Sequence, residues 1–493
     1  MKGASVILSL ETAQSIWGRI RRVRLEYHNA EAQEVTARFQ QLGYKLTKAG
    51  SGTDRSGYCG STGRPFITTT TEIKVTSVGL VSLVQGAADM HDGPPMAAKM
   101  QRRGPMSAIT AVETARQLVA VPPRIHRRAH IPALDGLRGI AILAVLMVHS
   151  VPTVPGSGTL IAALNSFFAA GVYGVDLFFV LSGFLITGIL LDSKDSPSFF
   201  KHFYIRRFLR LFPVYYGFLV VLVTIVPILH HWARSAGLDF KGELDYHGNW
   251  WWYILYVCNW KPYHGRDPGL GHFWSLAVEE QFYLTWPLLV YQFSRRGLAW
   301  CCCGLCVASV TLRCLLWGSS WDVYSITITR LDALAVGALL ALAARDLRWS
   351  DLLHRHWNLL AGVALSGFTF CVLRNWRHVW NPLSAFWAAA LFGIVVFRGA
   401  TVTHGRFQRL LRLPILQGYG KYSYCIYVVH WLIIDHTLRV AGHYSHSLSP
   451  LPTVLLIAAC LVAANAIIYW AAKLSWSFYE APILAFKDRF TGG

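Results

Sequence analysis

This sequence is poor in charge. Only 15% of its 493 residues are Asp, Glu, Lys or Arg, while 54% are hydrophobic and the mean hydropathy is positive. A soluble enzyme carries more charge than that, so the composition places the chain among polytopic membrane proteins. Acidic residues are the scarcer sign, 26 against 46 basic ones, leaving a formal net charge of +20. A basic excess points to nucleic acid only when it covers a soluble surface. Here many bases fall in short loops between apolar runs, the pattern of membrane topology, and no nucleic-acid partner is expected.

Three further absences narrow the reading. Residues 1–128 contain no apolar run long enough to cross a bilayer. They also show no charged-then-apolar segment with a small-residue cleavage site, so no signal peptide is expected. This stretch mixes Gly, Thr and charge, 18 Lys and Arg against 9 Asp and Glu. Its Thr- and Val-rich part, 66–85, has strand-forming residues without sustained alternation. We expect a cytosolic, poorly ordered N-terminal extension, with Met96, Met100 and Met106 as alternative starts before the first span. Finally, the ten cysteines lack metal partners. Cys301, Cys302, Cys303, Cys306 and Cys314 crowd one apolar run, and Cys303-Gly-Leu-Cys306 has no second His or Cys pair nearby. In lipid they are small hydrophobes, and no metal site is expected.

From Arg124 onward the sequence predicts an all-α, polytopic membrane domain of about ten helices. The spans fall near 132–151, 171–191, 212–229, 272–293, 298–317, 329–345, 357–373, 382–397, 420–438 and 451–471. The domain so defined covers 129–486, with a short tail at 487–493. With the N-terminus inside, the inner loops carry 17 Lys and Arg and the outer loops 8. By the positive-inside rule both termini are then cytoplasmic. The longest outer loop, 231–271, includes Trp250-Trp251-Trp252-Tyr253 and Trp260, which fit interfacial anchors better than a sugar-stacking platform.

Polar residues inside the spans are the functional candidates, because they are costly in hydrocarbon. The first span opens Asp135-Gly136-Leu137-Arg138 and ends on His149. Eleven steps at 3.6 residues per turn put Arg138 and His149 on one face, about 16 Å apart along the axis. The plainer reading is a surface arginine and a histidine capping the far end. The second span carries Asp176 in its outer half, level with His149, where a carboxylate would fix the imidazole tautomer; the alternative is a helix cap. Ser182 and Gly183 would let helices approach closely. Arg207 and Arg210, spaced i, i+3, share a face at the depth of Arg138. Three guanidiniums at one level suit phosphates, which arginine grips with paired N–H groups; the positive-inside rule alone would also explain two of them. In the fourth span Ser275, Glu279 and Tyr283 recur every four residues and line one face, and Glu280 adds a second carboxylate beside Glu279. Two adjacent acids in a span need a polar cavity or a cationic partner.

Together these stretches resemble the acyltransferase-3 family of integral membrane acyltransferases. The resemblance rests on LDGLRGIA with Arg-x10-His, on GVDLFFVLSGFLI, on RRxxR followed by proline, and on Ser-x3-Glu-x3-Tyr in FWSLAVEEQFY. Arg330-Leu331-Asp332-Ala333-Leu334-Ala335-Val336-Gly337, Tyr422-Ser423-Tyr424-Cys425-Ile426-Tyr427-Val428-Val429-His430-Trp431 and Phe478-Tyr479-Glu480-Ala481-Pro482 add to it, and it covers about 129–486. It implies transfer of an acyl group, commonly acetyl from acetyl-CoA, to a hydroxyl of a carbohydrate or glycoconjugate, in the inner (cell) membrane of a bacterium.

By the same resemblance Arg138, Arg207 and Arg210 belong to the acyl-CoA site, His149 matches the catalytic histidine, and Asp176, Ser275, Glu279 and Tyr283 match functionally important positions; we expect His149, Asp176 and Glu279 to be catalytic. Ser275, Tyr283 and Glu280 then hold the acceptor. Some members carry an esterase-like domain after the last span; the sequence here runs only about twenty residues further, so none is expected. Membrane lipid is the remaining partner, and nothing in the sequence speaks to oligomeric state. The rival reading is a transporter or flippase without chemistry, since intramembrane charges also mark transport paths. The sequence shows no internal repeat of the kind many transporters carry.

Overall fold

The computed structural model describes residues 23–28, 68–73, 131–150, 168–235, 250–261, 270–374, 381–445 and 450–486. The chain divides into two units, Met1–Val121 and Pro122–Gly493. In the first, β1 (Val23–His28) pairs antiparallel with β2 (Thr68–Ile73), Val23 opposite Ile73 and His28 opposite Thr68. β2 lies within the Thr-rich stretch that the sequence marks as strand-forming. The rest of the expected extension, and the tail 487–493, fall outside the described residues.

The second unit is all-α. Its ten longer helices among the described residues are α1 (Pro132–His149), α2 (Gly174–Ser193), α3 (Phe199–Ser235), α4 (Trp274–Gln292), α5 (Arg295–Leu316), α6 (Leu331–Ala343), α7 (Leu347–Arg374), α8 (Pro382–Thr401), α9 (Pro414–Ser445) and α10 (Pro450–Ser475). Local chemistry sets several of their starts. Pro132 opens α1, where its missing N–H costs nothing. Asn381 and Ser384 close a capping box at α8, each side chain bonding the other's backbone N–H at 3.0 and 2.8 Å.

Among the described residues seven helical segments are long and apolar enough to cross a membrane, and the protein is an integral membrane protein. The three long helices outside that set are α4, α6 and α9. The reason is chemical: α4 carries Glu279 and Glu280, and α9 is rich in tyrosine and histidine. α6 has 13 residues, about 20 Å of helix against a hydrocarbon core of about 30 Å. The third expected span, 212–229, proves to be the middle of α3, which begins at Phe199 and so carries Arg207 and Arg210 on continuous helix.

Burial separates centre from rim. Large apolar side chains of α5, α7 and α10, such as Trp300, Phe370 and Val462, face outward, as lipid allows. α1, α2, α4, α6 and α9 supply much of the buried core. Two backbone contacts fix that centre. A Cβ on Gly183 of α2 would lie 2.0 Å from the Leu334 carbonyl oxygen of α6, and one on Gly337 of α6 would lie 2.1 Å from the Val180 oxygen of α2. Likewise a Cβ on Gly420 of α9 would lie 1.8 Å from the Asp135 oxygen of α1. Only glycine permits such approach, the small-residue packing that holds membrane helices together.

Candidate active site

Helix α4 presents Ser275, Glu279 and Tyr283 one turn apart, and all three line an internal cavity of about 90 Å³. Facing helices complete it: Arg138 from α1, Ser182 from α2, and Arg207 and Arg210 from α3. The wall from α9 includes Tyr424 and Tyr427. Thus the three arginines expected at one depth, and three of the four α4 residues, share one polar space. Glu280 does not line it; a step of one residue turns a helical side chain by about 100°.

The polar groups of the cavity are already joined. Tyr283 donates to Glu279 Oε2 at 3.1 Å and its hydroxyl also hydrogen-bonds that of Ser182. The Arg207 guanidinium sits 4.9 Å from the Tyr283 ring centroid, a cation–π contact. Arg138 pairs with Asp135 at 3.0 Å. On the α9 side, Ser275 Oγ lies 2.5 Å from the Tyr427 hydroxyl, which donates to the His272 carbonyl at 3.0 Å.

His149 is not in the cavity wall. Its ring lies beyond Tyr427, in a cluster of imidazoles. Nδ1 of His149 is 2.9 Å from the Val145 carbonyl oxygen and 3.2 Å from Nε2 of His430. The His430 ring is in turn 4.8 Å from that of His272 and 5.4 Å from that of Tyr427, centroid to centroid. Trp431 closes over His149 edge-on at 4.8 Å. The sequence reading did not place His272 or His430 in the site. The signal was present: each is a buried polar residue in a helical membrane segment, the same ground on which His149 was singled out.

The expectation that Asp176 orients His149 is not met. Asp176 pairs with Arg330 at 2.9 Å, and no hydrogen bond joins it to His149 among the described residues. Arg330 is ringed by Phe179, Trp274 and Tyr324, each centroid 5.2–5.5 Å away. Attraction explains the choice: a buried carboxylate gains far more from a guanidinium than from a neutral imidazole. Two residues after Arg330, Asp332 of α6 holds Arg313 of α5 with two bonds, at 2.8 and 2.5 Å. These pairs tie α2, α5 and α6 together and stand apart from the cavity wall.

Among the described residues no group of three His, Cys, Asp or Glu side chains is placed to hold a metal ion. The cavity volume of about 90 Å³ is also far below the roughly 300–1,000 Å³ of a typical small-molecule pocket. Tyr427, in the cavity wall, packs against His430 of the imidazole cluster, and the cavity has no room for a whole coenzyme.

A membrane bundle with an arginine-lined polar chamber at its centre is the class that geometry defines. Residues 131–471 match the acyltransferase domain of the Acyl_transf_3 model, and the chain belongs to the acyltransferase-3 family. It is 31% identical over 377 residues to the peptidoglycan O-acetyltransferase OatA of Listeria monocytogenes, covering 73% of this chain and 56% of that one. It is 28% identical over 337 residues to a putative O-acetyltransferase of Staphylococcus aureus, 64% and 52% of the two chains. A putative peptidoglycan O-acetyltransferase of Bacillus subtilis, YrhL, is 36% identical over 234 residues, 44% and 34%. The chain spans about half the length of the first two of these relatives. No solved structure matches.

Proposed function

We propose that the chain is a membrane O-acetyltransferase that moves acetyl from acetyl-CoA to a carbohydrate hydroxyl of the bacterial cell envelope. One observation carries the reading: three arginines from two helices converge on a buried chamber whose far wall, through Tyr427, abuts the His149 cluster. The names of the relatives favour a peptidoglycan-type glycan as acceptor. The 17-to-8 distribution of basic residues supports both termini in the cytoplasm, so acyl-CoA reaches the arginines from the cytosolic side of the cell membrane.

In this reading the arginines grip the phosphates of the donor, and its pantetheine arm runs along α1 toward His149. Nε2 of His149 takes the proton of the acceptor hydroxyl. The hydroxyl oxygen bonds to the thioester carbonyl carbon, the C–S bond breaks, and the imidazolium returns the proton to the CoA thiolate. Ser275, Glu279 and Tyr283 hold the acceptor or the oxyanion. Asp176 serves this indirectly, by pairing Arg330 and fixing α2 against α6.

The test is to reconstitute the purified protein in lipid vesicles with radiolabelled acetyl-CoA and a soluble peptidoglycan fragment. The wild-type protein should yield labelled glycan and free CoA. His149→Ala should bind acetyl-CoA while losing nearly all transfer, since a general base contributes about 10²–10⁴-fold. Near-normal transfer by His149→Ala would overturn the role of His149. Absence of any transfer or acetyl-CoA binding by the folded wild-type protein would overturn the function.

A further inference from the structure

We infer that His430 is a positioning residue of the site: together with the Val145 carbonyl it holds the proton of His149 on Nδ1 and steers the ring, so that Nε2 is left as the base. The inference rests on His149 being that base, the reading given above, and adds a residue 281 positions away in sequence.

The helix register brings the two imidazoles together. α1 and α9 run in the same direction, since Gly139 meets Leu416 near the start of both and His149 meets His430 further along both. A Cβ on Gly420 would also lie 3.1 Å from the Gly139 nitrogen. His149 lies ten residues beyond Gly139 and His430 ten residues beyond Gly420. Ten residues of helix rise about 15 Å, so both rings arrive at one level.

Hydrogen-bond accounting then fixes the protons. Nδ1 of His430 is 2.7 Å from the Tyr427 carbonyl oxygen. A carbonyl only accepts, so Nδ1 of His430 must donate, and in the neutral ring Nε2 is left with its lone pair. That lone pair faces Nδ1 of His149 at 3.2 Å. Two facing nitrogens need one hydrogen between them, and only His149 can supply it. The Val145 carbonyl, 2.9 Å from the same atom, demands the same proton. Nδ1–H of His149 is thus shared between two acceptors, and its proton-accepting nitrogen is Nε2. The order runs Tyr427 carbonyl, His430, His149, acceptor hydroxyl. His272 and Trp431, packed edge-on against the two rings, oppose a ring flip. The device supplies the orientation a carboxylate often gives a histidine base, by a neutral partner, because Asp176 is committed to Arg330.

Replacement of His430 by Asn and by Gln separates this role from packing. Asn places an amide near the Nδ1 position and can keep the bond to Tyr427, but offers nothing to His149. Gln extends its amide to the Nε2 position, where its oxygen accepts from His149. Both variants, His149→Ala and the wild-type protein are compared in vesicles for acetyl-CoA binding, KM and kcat. In metal sites, loss of the group that orients a ligating histidine costs about 10–100-fold, and a wrong tautomer in a serine-protease triad costs about 10⁴. We expect His430→Asn to lower kcat on the order of 10²-fold with KM and binding unchanged, and His430→Gln to recover at least about tenfold of that loss. Full activity in His430→Asn, or equal losses in Asn and Gln variants, would reduce His430 to a packing residue while leaving His149 as base. Activity retained in His149→Ala would instead remove the base reading itself, so the two failures are distinguishable.

Discussion

Asp176 of α2 and Arg330 at the head of α6 form an ion pair of 2.9 Å in which each side chain is only 1% exposed. It closes the same helix interface that Gly183 and Gly337 bring into backbone contact. The pair lies between sequence motifs 154 residues apart, and its loss is felt first as stability. Removing one partner of a buried pair leaves the other charged and unpaired, at a cost on the order of 3–5 kcal/mol. Asp176→Ala and Arg330→Ala should therefore each lower the thermal midpoint of the detergent-solubilised protein sharply. The double variant should be less destabilised than the two losses added together. Strictly additive losses would mean that the pair is not coupled.

The arginines of the cavity make a different prediction. Arg138→Ala, Arg207→Ala and Arg210→Ala should each weaken acetyl-CoA binding while the protein still inserts. A lost charge-assisted bond costs on the order of 1.5–3 kcal/mol, roughly 10- to 100-fold in Kd. Lysine at the same positions should recover part of the loss, because it keeps the charge but not the forked geometry. Unchanged affinity in all three alanine variants would leave these residues as topology signals only.

Membrane orientation can be checked independently of activity. Reporters fused within 192–212 and 398–412 should read out in the cytosol, and those within 231–271 on the opposite side. A cytosolic 231–271 loop would reverse the protein and with it the route of the donor.

The glycine contacts predict opposite outcomes for the same substitution. Gly420→Ala puts a methyl 1.8 Å from the Asp135 oxygen, so α1 and α9 must separate. Loss of stability and of the His149–His430 alignment should follow, read as a lower thermal midpoint and lower transfer. Gly304→Ala on α5 meets nothing within 4 Å and should be neutral or stabilising by up to about 1 kcal/mol, the helix-propensity gain. A tolerated Gly420→Ala would show that the α1–α9 contact is not close-packed.

Much of the architecture is legible in one dimension because a helix in lipid must be apolar and must repeat every 3.6 residues. Those two constraints give the succession of ten helices. They also give the faces: Ser275, Glu279 and Tyr283 do line one cavity, and Arg138, Arg207 and Arg210 do meet there. The breaks in apolar character at α4 and α9 coincide with the polar centre, since a membrane protein tolerates such residues only where a cavity or partner receives them.

What periodicity cannot say is which face meets which. Asp176 was matched to His149 by depth alone, whereas its partner, Arg330, begins a helix far along the chain. His430 reaches His149 because Gly139 and Gly420 let α1 and α9 lie backbone to backbone in a fixed register. The helices, their polar faces and the residues able to do chemistry follow from local order along the chain. The pairing of carboxylate with guanidinium and of imidazole with imidazole does not, because it depends on interhelical contact and competing charge, which local sequence does not encode.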